Sequence, residues 1–473
     1  MRNRRDFFSR VASLGTALWA GRAAAQDVKP PAENIQVVTP DLPDLPYKLV
    51  DGVKEFHLIA EPVRTELVPG RPMDAWGFNG CIPGPTIQVN QGDRVRVIFD
   101  NHLPEMCAIH WHGFEVPMEM DGSVGLGQDP VPPGGRFVYE FTLHQAGTFF
   151  YHSHFAMQEM MGLIGLFIMH PKEPYQPRVD RDFGLILQGW ALLPNNTVPN
   201  TLSMEFNWLT FNGKAGPAAT PMIVKQGERV RIRIVNLGMD HHPIHLHGNT
   251  FVVTGTEGGR APATTWVDQN TVLVGVAQAR DFEFEARFIG DWMLHCHLPH
   301  HMMNQMVSMV GPISHGAHGH GVHTGGSMQN GMGMLQEGHA LSSEFGPTMG
   351  RGLGMAADAD RATSNLVAQH QHPPEHQHGQ PADPAMDFYP KDDPEKKKVP
   401  GYPQDMWMPD DSPYSGKPEN YGLRRGWTGA MMGMMTLVRV VSPEVYDKIA
   451  ELKAKQPAPG QPKPQHHHHD HGA

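Results

Sequence analysis

The chain has 473 residues and a formal net charge of −11. This length favours more than one domain, because a single hydrophobic core rarely grows beyond about 250–300 residues. The negative charge argues against a nucleic-acid-binding protein, which needs a basic surface to neutralise phosphates. The 51 glycines and 43 prolines exclude an all-helical protein, and 30 histidines and 29 methionines against three cysteines offer many nitrogen and sulfur donors that suit copper.

Residues 1–25 have the pattern of an export signal. The paired arginines Arg4 and Arg5 precede a short apolar stretch, and Ala23-Ala24-Ala25 form a small-residue cleavage site. Paired arginines are typical of twin-arginine export, although an amphipathic first helix is the alternative. No later apolar run reaches the roughly 20 residues that a membrane helix needs. We therefore predict a signal peptide, no membrane span, and a mature protein in the periplasm or outside the cell.

The next part of the chain contains two copies of one β-rich pattern. QGDRVRVIFDN from Gln91 and QGERVRIRIVN from Gln226 both alternate charged and apolar residues, as half-buried strands do. Further on, AGTFFYHSH from Ala146 matches IGDWMLHCH from Ile289. Short strands broken by Gly and Pro predict an all-β protein with two Greek-key β-sandwich domains, at residues 46–172 and 180–313.

Residues 314–473 have a different composition, rich in His, Met, Gly and Pro, and we expect a partly irregular C-terminal extension. Within it, GMMTLVRVV at 433–441 predicts a strand. Ser442 and Pro443 then begin a predicted helix over 443–455. The strand resembles MMGLIGLFIMHP, the closing strand of domain 1. We infer that 433–441 completes the sheet of domain 2, which makes the His/Met-rich stretch before it an insertion.

Histidines are concentrated in four clusters within the two domains. The clusters are His110-Trp111-His112, His152-Ser153-His154, the segment from His242 to His247, and His295-Cys296-His297. On a strand, residues i and i+2 point the same way, so each His-x-His motif presents two imidazoles to one side. A His₂Cys set with a weak axial Met forms a blue-copper electron-transfer centre. Cys296, followed by His301 and Met306, supplies three of these donors, and His242 can supply the fourth.

In these four motifs and in their order, the sequence resembles the multicopper oxidases, the laccase and cuprous-oxidase family of cupredoxin-like domains. The resemblance covers about residues 46–312. It implies an oxidoreductase that takes electrons from a substrate at a type 1 copper and reduces dioxygen to water at a trinuclear cluster. The implied cofactors are four copper ions, one of type 1, one of type 2 and two of type 3.

The resemblance also assigns ligands to each copper. The type 1 ligands are His242, Cys296, His301 and Met306; the type 2 ligands are His110 and His245; one type 3 copper takes His112, His152 and His297, and the other takes His154, His247 and His295. One methionine of 431–435 is an alternative to Met306. Asp121 matches the family's proton-relay acid, with a turn role before Gly122 as the alternative. Some relatives carry a second acid directly after the second type 1 histidine, where this chain has Met302.

Domain 1 lacks the donors of a type 1 site. Its matching positions are Ser153, Cys107, Gln158 and Leu163. The interval between His152 and His242 is too short for a middle domain. The chain is therefore similar to two-domain multicopper oxidases, in which three subunits form a ring and each trinuclear cluster lies between domain 1 of one chain and domain 2 of the next. This similarity implies a homotrimer.

The four motifs do not indicate whether the substrate is Cu(I) or an organic compound such as a phenol or an aromatic amine. We favour Cu(I) and a role in copper tolerance, because the C-terminal stretch carries many thioether and imidazole donors; a solvated linker is the alternative for this stretch. These donors include Met328, Met332, Met334, His315, His318, His320 and His323.

Two other functions compete with an oxidase. A copper nitrite reductase would have its type 1 site in domain 1 and no type 3 pair. A non-catalytic periplasmic copper-buffering protein would not need Cys296 between two histidines. The sequence also leaves open whether Cys81 and Cys107 form a disulfide or remain two buried thiols.

Overall fold

The computed structural model describes residues 33–192, 196–302 and 411–456. The proposed signal peptide, Met306 and most of the His/Met-rich stretch lie outside these residues. Within the described part, strands dominate and form four sheets, which confirms the predicted all-β, cupredoxin-like architecture. No helix among the described residues is long and apolar enough to cross a membrane.

Domain 1 contains nine strands. They are β1 (Tyr47–Val50), β2 (Val53–Val68), β3 (Arg71–Phe78), β4 (Gly84–Asn90), β5 (Arg94–Asn101), β6 (Ile109–His112), β7 (Arg136–Thr142), β8 (Gly147–Ser153) and β9 (Ile164–His170). One sheet has the order β1-β2-β5-β7, with β3 also paired to β2, and the other has the order β4-β9-β8-β6. Side chains from both sheets, among them Phe56, Trp111 and Tyr151, form the buried core between them.

Domain 2 contains twelve strands among the described residues. They are β10 (Arg181–Trp190), β11 (Trp208–Phe211), β12 (Met222–Lys225), β13 (Arg229–Asn236), β14 (His242–Leu246), β15 (Phe251–Thr256), β16 (Gly259–Arg260), β17 (Asp268–Gln269), β18 (Thr271–Val274), β19 (Ala279–Glu285), β20 (Gly290–Cys296) and β21 (Met435–Val441). One sheet has the order β11-β10-β13-β19-β15-β16, with β17 also paired to β15, and the other has the order β12-β21-β20-β14-β18.

The described helices are short and lie outside the sheets. The α-helices are α1 (Ala156–Met160) and α2 (Pro443–Ala454), and the 3₁₀ helices are Met118–Met120, Ala263–Thr265, Pro299–Met302, Ser412–Tyr414, Pro418–Asn420 and Trp427–Ala430. Helix α2 directly follows β21. The Ser442 hydroxyl caps it by accepting a hydrogen bond from the backbone N–H of Val445.

Strand β21 occupies the same place in domain 2 that β9 occupies in domain 1. Strand β9 lies between β4, to which it is parallel, and β8, to which it is antiparallel. Strand β21 lies in the same way between β12 and β20. In each domain the strand that precedes the closing strand along the chain, β8 in domain 1 and β20 in domain 2, is joined to it by a connection of very different length. The stretch rich in His and Met is therefore inserted into domain 2 between β20 and β21.

A buried ionic network joins the two domains. The Arg233 guanidinium donates two hydrogen bonds to Asp182, at 2.8 Å each, and one to the Thr148 hydroxyl of domain 1, also at 2.8 Å. Thr148 in turn donates to the Asp281 carboxylate at 2.7 Å. An apolar layer that includes Phe150 of domain 1 and other side chains of both domains packs beside this network. Because these charges are almost fully buried, each depends on its partners to offset the loss of water.

We predict that Arg233→Leu destabilises the copper-free protein strongly. The substitution leaves the carboxylate of Asp281 buried without its cation and leaves Asp182 paired with Arg231 alone, and breaking a buried pair in this way costs about 3–5 kcal/mol. Urea denaturation should show the decrease in the free energy of unfolding. The matched control is Arg287→Leu, which removes an exposed ion pair with Glu285 and should change the free energy by less than about 0.5 kcal/mol. Equal losses in the two variants would contradict the prediction.

Candidate metal centre

The pairing of β14 with β20 divides the side chains of the HCH motif between two faces. Ile244 lies opposite Cys296, and His245 lies opposite His295. Successive side chains of a strand point to opposite faces. Cys296 therefore enters the hydrophobic core of domain 2 beside Ile244. His295 and His297 project from the other face, together with His245.

Three predicted copper donors converge at the core end of this strand pair. The Cys296 sulfur lies 3.6 Å from His242 Nδ1 and 3.4 Å from His301 Nδ1. The two Nδ1 atoms lie 3.1 Å apart. His242 begins β14 on the core face, and His301 is supplied by the 3₁₀ helix Pro299–Met302. The structure thus brings together a compact group of two imidazole nitrogens and one sulfur.

Burial keeps the imidazole and the thiol of this group uncharged. Burial lowers the pKa of His242 to about 3, so its imidazole is neutral with a lone pair available. Burial also raises the pKa of Cys296 to about 12, although a hydrogen bond from the backbone of Leu298 opposes this rise. His242 Nε2 is buried and finds no hydrogen-bond partner among the described residues, and Nδ1 of the same ring faces the Cys296 sulfur. A His₂Cys donor set of this kind fits copper.

Four further histidines of domain 2 lie together on the opposite face. Nε2 of His247 and Nε2 of His295 are 3.0 Å apart. The His245 ring contacts the rings of both His247 and His297, with centroids at 4.8 and 5.6 Å. His247 and His297 are exposed at the surface of the protomer. We call these four residues the domain 2 histidine set.

Domain 1 carries an equivalent domain 1 histidine set of His110, His112, His152 and His154. His110 pairs with His152 across β6 and β8, so their side chains share one face. His112 Nδ1 lies 3.4 Å from His152 Nε2, and the His110 and His154 ring centroids are 5.2 Å apart. Burial lowers the pKa of His112 to about 4, which keeps its imidazole neutral. Three of the four, His110, His112 and His152, are close enough to hold one metal ion.

The outer nitrogens of several of these imidazoles are held by backbone carbonyls. His110 Nδ1 donates to the Asp121 carbonyl at 2.7 Å, and His245 Nδ1 donates to the Asn270 carbonyl at 2.7 Å. His295 Nδ1 donates to the Cys296 carbonyl at 2.8 Å. Because a carbonyl can only accept, Nδ1 carries the proton and Nε2 keeps its lone pair. Metal-ligating histidines are oriented by such outer hydrogen bonds.

The two histidine sets do not meet within one chain. Among the residues that the structure describes, neither a ring contact nor a candidate metal group joins the domain 1 set to the domain 2 set. A cavity of about 200 Å³ lies beside the domain 1 set, and the domain 2 residues that line it are Asn236, Leu237, Gly238, Val276 and Ala277 rather than histidines. Each set is therefore a separate cluster at the surface of the protomer.

Two acidic residues contact the domain 1 set. Asp121, which the sequence indicated, has a carboxylate oxygen 3.5 Å from His110 Nδ1 and accepts a hydrogen bond from Ser123. Glu159 was not anticipated. Its carboxylate contacts His152 Nδ1 and lines the cavity beside the set. The internal repeat contained a signal for this residue. Glu159 directly follows Gln158, the domain 1 counterpart of His301, so it is an acid at the repeat position that Met302 occupies in domain 2.

In domain 1 the positions of the His₂Cys group are filled by a hydrogen-bonded cluster of Ser153, Gln158 and Cys107, which we call the plug. Ser153 Oγ donates to Gln158 Oε1 at 2.6 Å, and Gln158 Nε2 donates to the Met106 carbonyl at 2.8 Å. The Cys107 thiol lies 3.7 Å from Ser153 Oγ. All these side chains of the plug are buried, and they offer a single thiol in place of the His₂Cys donors. Cys81, Cys107 and Cys296 are free cysteines, so the open question of a disulfide is answered in favour of thiols.

Comparison with known proteins relates both domains to one protein family. Two multicopper oxidase family models match residues 61–174 and 193–312. A copper resistance protein A homolog of Pseudomonas syringae pv. tomato is 40% identical over 143 residues, which are 30% of this chain and 24% of that protein. The multicopper oxidase MmcO of Mycobacterium tuberculosis is 28% identical over 312 residues, 58% of this chain and 60% of that protein.

Among solved structures, the blue copper oxidase from Nitrosomonas europaea is 32% identical with a TM-score of 0.49, and the match covers 53% of this chain and 81% of that chain. The chain spans less than two thirds of the length of these curated relatives. The two family models fall on the two β-sandwiches that carry the histidine sets and the His₂Cys group. The chain therefore belongs to the multicopper oxidase family.

Proposed function

We propose that this protein is an oxidase that removes single electrons from a substrate at a type 1 copper and reduces dioxygen to water at a trinuclear copper cluster. The observation that carries the proposal is the position of Cys296 between His295 and His297, on a strand that sends the sulfur and the imidazoles to opposite faces. When bound, copper supplies the one-electron redox chemistry and the reduction of dioxygen. The chain supplies a short covalent connection between the sulfur and the two imidazoles.

We assign the copper ligands from the family motifs and from the contacts described above. His242, Cys296 and His301 would hold the type 1 copper. The trinuclear ligands would be His110 and His245 for type 2, His112, His152 and His297 for one type 3 ion, and His154, His247 and His295 for the other. The backbone carbonyls that accept from His110, His245 and His295 would keep those imidazoles oriented toward the metal.

We further propose a homotrimer in which each trinuclear cluster lies between two subunits. Each protomer presents half of the required imidazoles in each of two separate sets, and His154, His247 and His297 are exposed. Clusters of imidazoles that have exposed members and do not meet within a chain are completed most simply by the complementary set of another copy. A repeating head-to-tail contact between domain 1 and domain 2 closes into a ring.

Asp121 and Glu159, the two acids beside the domain 1 set, would have different roles. Asp121 would hold a proton for the reduction of dioxygen to water, because its half-buried carboxylate lies beside His110 and is hydrogen-bonded by Ser123. Glu159 would position His152, since it contacts the Nδ1 atom on the outer side of that imidazole.

For the substrate we favour Cu(I), with phenols or aromatic amines as the second candidate. The chain carries a His/Met-rich stretch directly after the His301 helix, and thioether donors suit Cu(I). Several relatives are named copper resistance protein A, whereas others are named laccases. We place the mature protein in the periplasm on the evidence of its twin-arginine pattern.

The experiment that tests the oxidase is dioxygen uptake by the copper-loaded protein, with Cu(I) and a phenol compared as donors. We predict that Cys296→Ser abolishes the intense blue thiolate-to-copper absorption and lowers uptake with either donor by more than about 100-fold, because the type 1 ion loses its sulfur ligand. Cys107→Ser is the matched control, because Cys107 is a buried cysteine in the domain 1 counterpart of the His₂Cys group. This variant should retain the blue absorption and the dioxygen uptake. Blue absorption that persists in Cys296→Ser would overturn the assignment.

A complementation experiment tests the intersubunit cluster. His112→Ala disables the domain 1 set and His247→Ala disables the domain 2 set, so each variant alone should be inactive. Co-expression of the two should restore about a quarter of the wild-type activity, since random mixing pairs an intact domain 1 with an intact domain 2 at one junction in four. If each cluster were built within one chain, the mixture would stay inactive, and light scattering would then report a species other than a trimer.

We also predict that Asp121→Asn slows dioxygen-dependent reoxidation of the reduced enzyme by about 100-fold or more, because positioned acids typically contribute factors of that size. The blue absorption should be unchanged, since Asp121 contacts the domain 1 set and not the His₂Cys group. Stopped-flow reoxidation measures the effect. Glu119→Gln, two residues earlier in the short helix Met118–Met120, is the control. Unaltered reoxidation in Asp121→Asn would remove this residue from the proposal.

A further inference from the structure

The fourth ligand of the His₂Cys group can be identified from the internal repeat. In domain 1 the segment Met160-Met161-Gly162-Leu163 leads into β9. In domain 2 the segment Met431-Met432-Gly433-Met434 leads into β21. The two strands have the same neighbours in their sheets. The position of Leu163 in domain 1 therefore corresponds to Met434 in domain 2.

Backbone hydrogen bonds establish the same correspondence independently. In domain 1, the Ser153 N–H donates to the Leu163 carbonyl at 3.0 Å, and the Leu163 N–H donates to the Gln158 carbonyl at 3.1 Å. In domain 2, the Cys296 N–H donates to the Met434 carbonyl at 3.1 Å, and the Met434 N–H donates to the His301 carbonyl at 2.8 Å.

Ser153 and Gln158 are the counterparts of Cys296 and His301. Both closing segments are thus bonded to the same two positions. The backbone of Met434 is held directly against two of the three donors.

The side chain of Met434 is also in the right surroundings. It is fully buried and belongs to the same core cluster as Cys296. Met431 and Met435 belong to a different cluster, which includes Leu437 and packs against Met302. This division follows from the strand geometry, since the side chains of Met434 and Met435 point to opposite faces. Of the methionines just before and at the start of β21, Met434 is the one that shares the core with the donor sulfur.

We propose that Met434, and not Met306, is the axial ligand of the type 1 copper. The proposal rests on the proposed function, because it presupposes a type 1 ion at His242, Cys296 and His301. A thioether is the usual weak axial ligand of such a site and tunes its reduction potential. The ligand set is then divided by the long His/Met-rich insertion, with His301 before it and Met434 after it. The site is complete only when the chain returns to form β21.

The test uses the full-length, copper-loaded protein and measures the reduction potential and the visible spectrum of the type 1 ion. Met434→Leu, which restores the residue of domain 1, should raise the potential, because the thioether that stabilises Cu(II) is lost. Met434→Gln should lower it, because an amide oxygen is a stronger ligand for Cu(II). Both variants should shift the blue absorption without removing it. Met306→Leu and Met435→Leu are the matched controls and should leave the potential unchanged.

The outcomes separate this proposal from the proposed function. If the wild-type protein shows no blue absorption, the type 1 assignment itself fails. If blue absorption is present and the potential moves in Met306→Leu, or stays constant in both Met434 variants, the axial assignment fails and the oxidase proposal stands. If Met434→Leu does not fold, Met434→Gln and Met306→Leu still decide the question.

Discussion

The alternation of side chains along β20 is the constraint on which the rest of the site depends. A strand sends neighbouring residues to opposite faces, so the HCH motif must deliver one sulfur to the core and two imidazoles to the opposite face of the sheet. Pairing with β14 repeats this division with His242 and His245. The buried face can therefore form a small dry site, while the other face presents imidazoles to the surroundings. Because of this alternation, two chemically distinct candidate sites are separated by only a few covalent bonds along the chain.

The two domains share one strand arrangement but carry different side chains at the buried end of β8 and β20. Their central strands and the closing strands β9 and β21 have the same neighbours, and the backbone hydrogen bonds at the buried end of β8 and β20 are equivalent. Domain 1 fills the buried position with Ser153, Gln158 and Cys107, which satisfy one another's polar groups. Domain 2 fills it with His242, Cys296 and His301, whose nitrogen and sulfur atoms face each other. A scaffold with one architecture thus gives a plug in one copy and a candidate copper site in the other.

The packing between the domains decides where the histidine sets lie. Arg233 and its carboxylate partners, together with the neighbouring apolar layer, hold β8 of domain 1 against domain 2. In this arrangement the domain 1 set faces residues 236–238 and 276–277, whereas His247 and His297 of the domain 2 set are exposed elsewhere on the protomer. Burial of charge makes this arrangement costly to change. The interface within the chain therefore keeps the two sets apart, which supports the proposed completion of each cluster by another subunit.

Local patterns in the sequence by themselves determined the strands, the repeat and the donor types, because period-two alternation and His-x-His spacing act over a few residues. Even the helix after β21 is signalled locally, by Ser442 and Pro443. Three features needed the tertiary structure: the contact of Glu159 with His152, the separation of the two histidine sets, and the approach of Met434 to Cys296. Each joins residues whose distance depends on sheet order and loop closure rather than on local spacing. Spacing alone favoured Met306. The sequence also indicated the closing strand and kept a methionine of 431–435 as the alternative, but it could not choose among them, because that choice depends on the backbone contacts and the core packing of Met434.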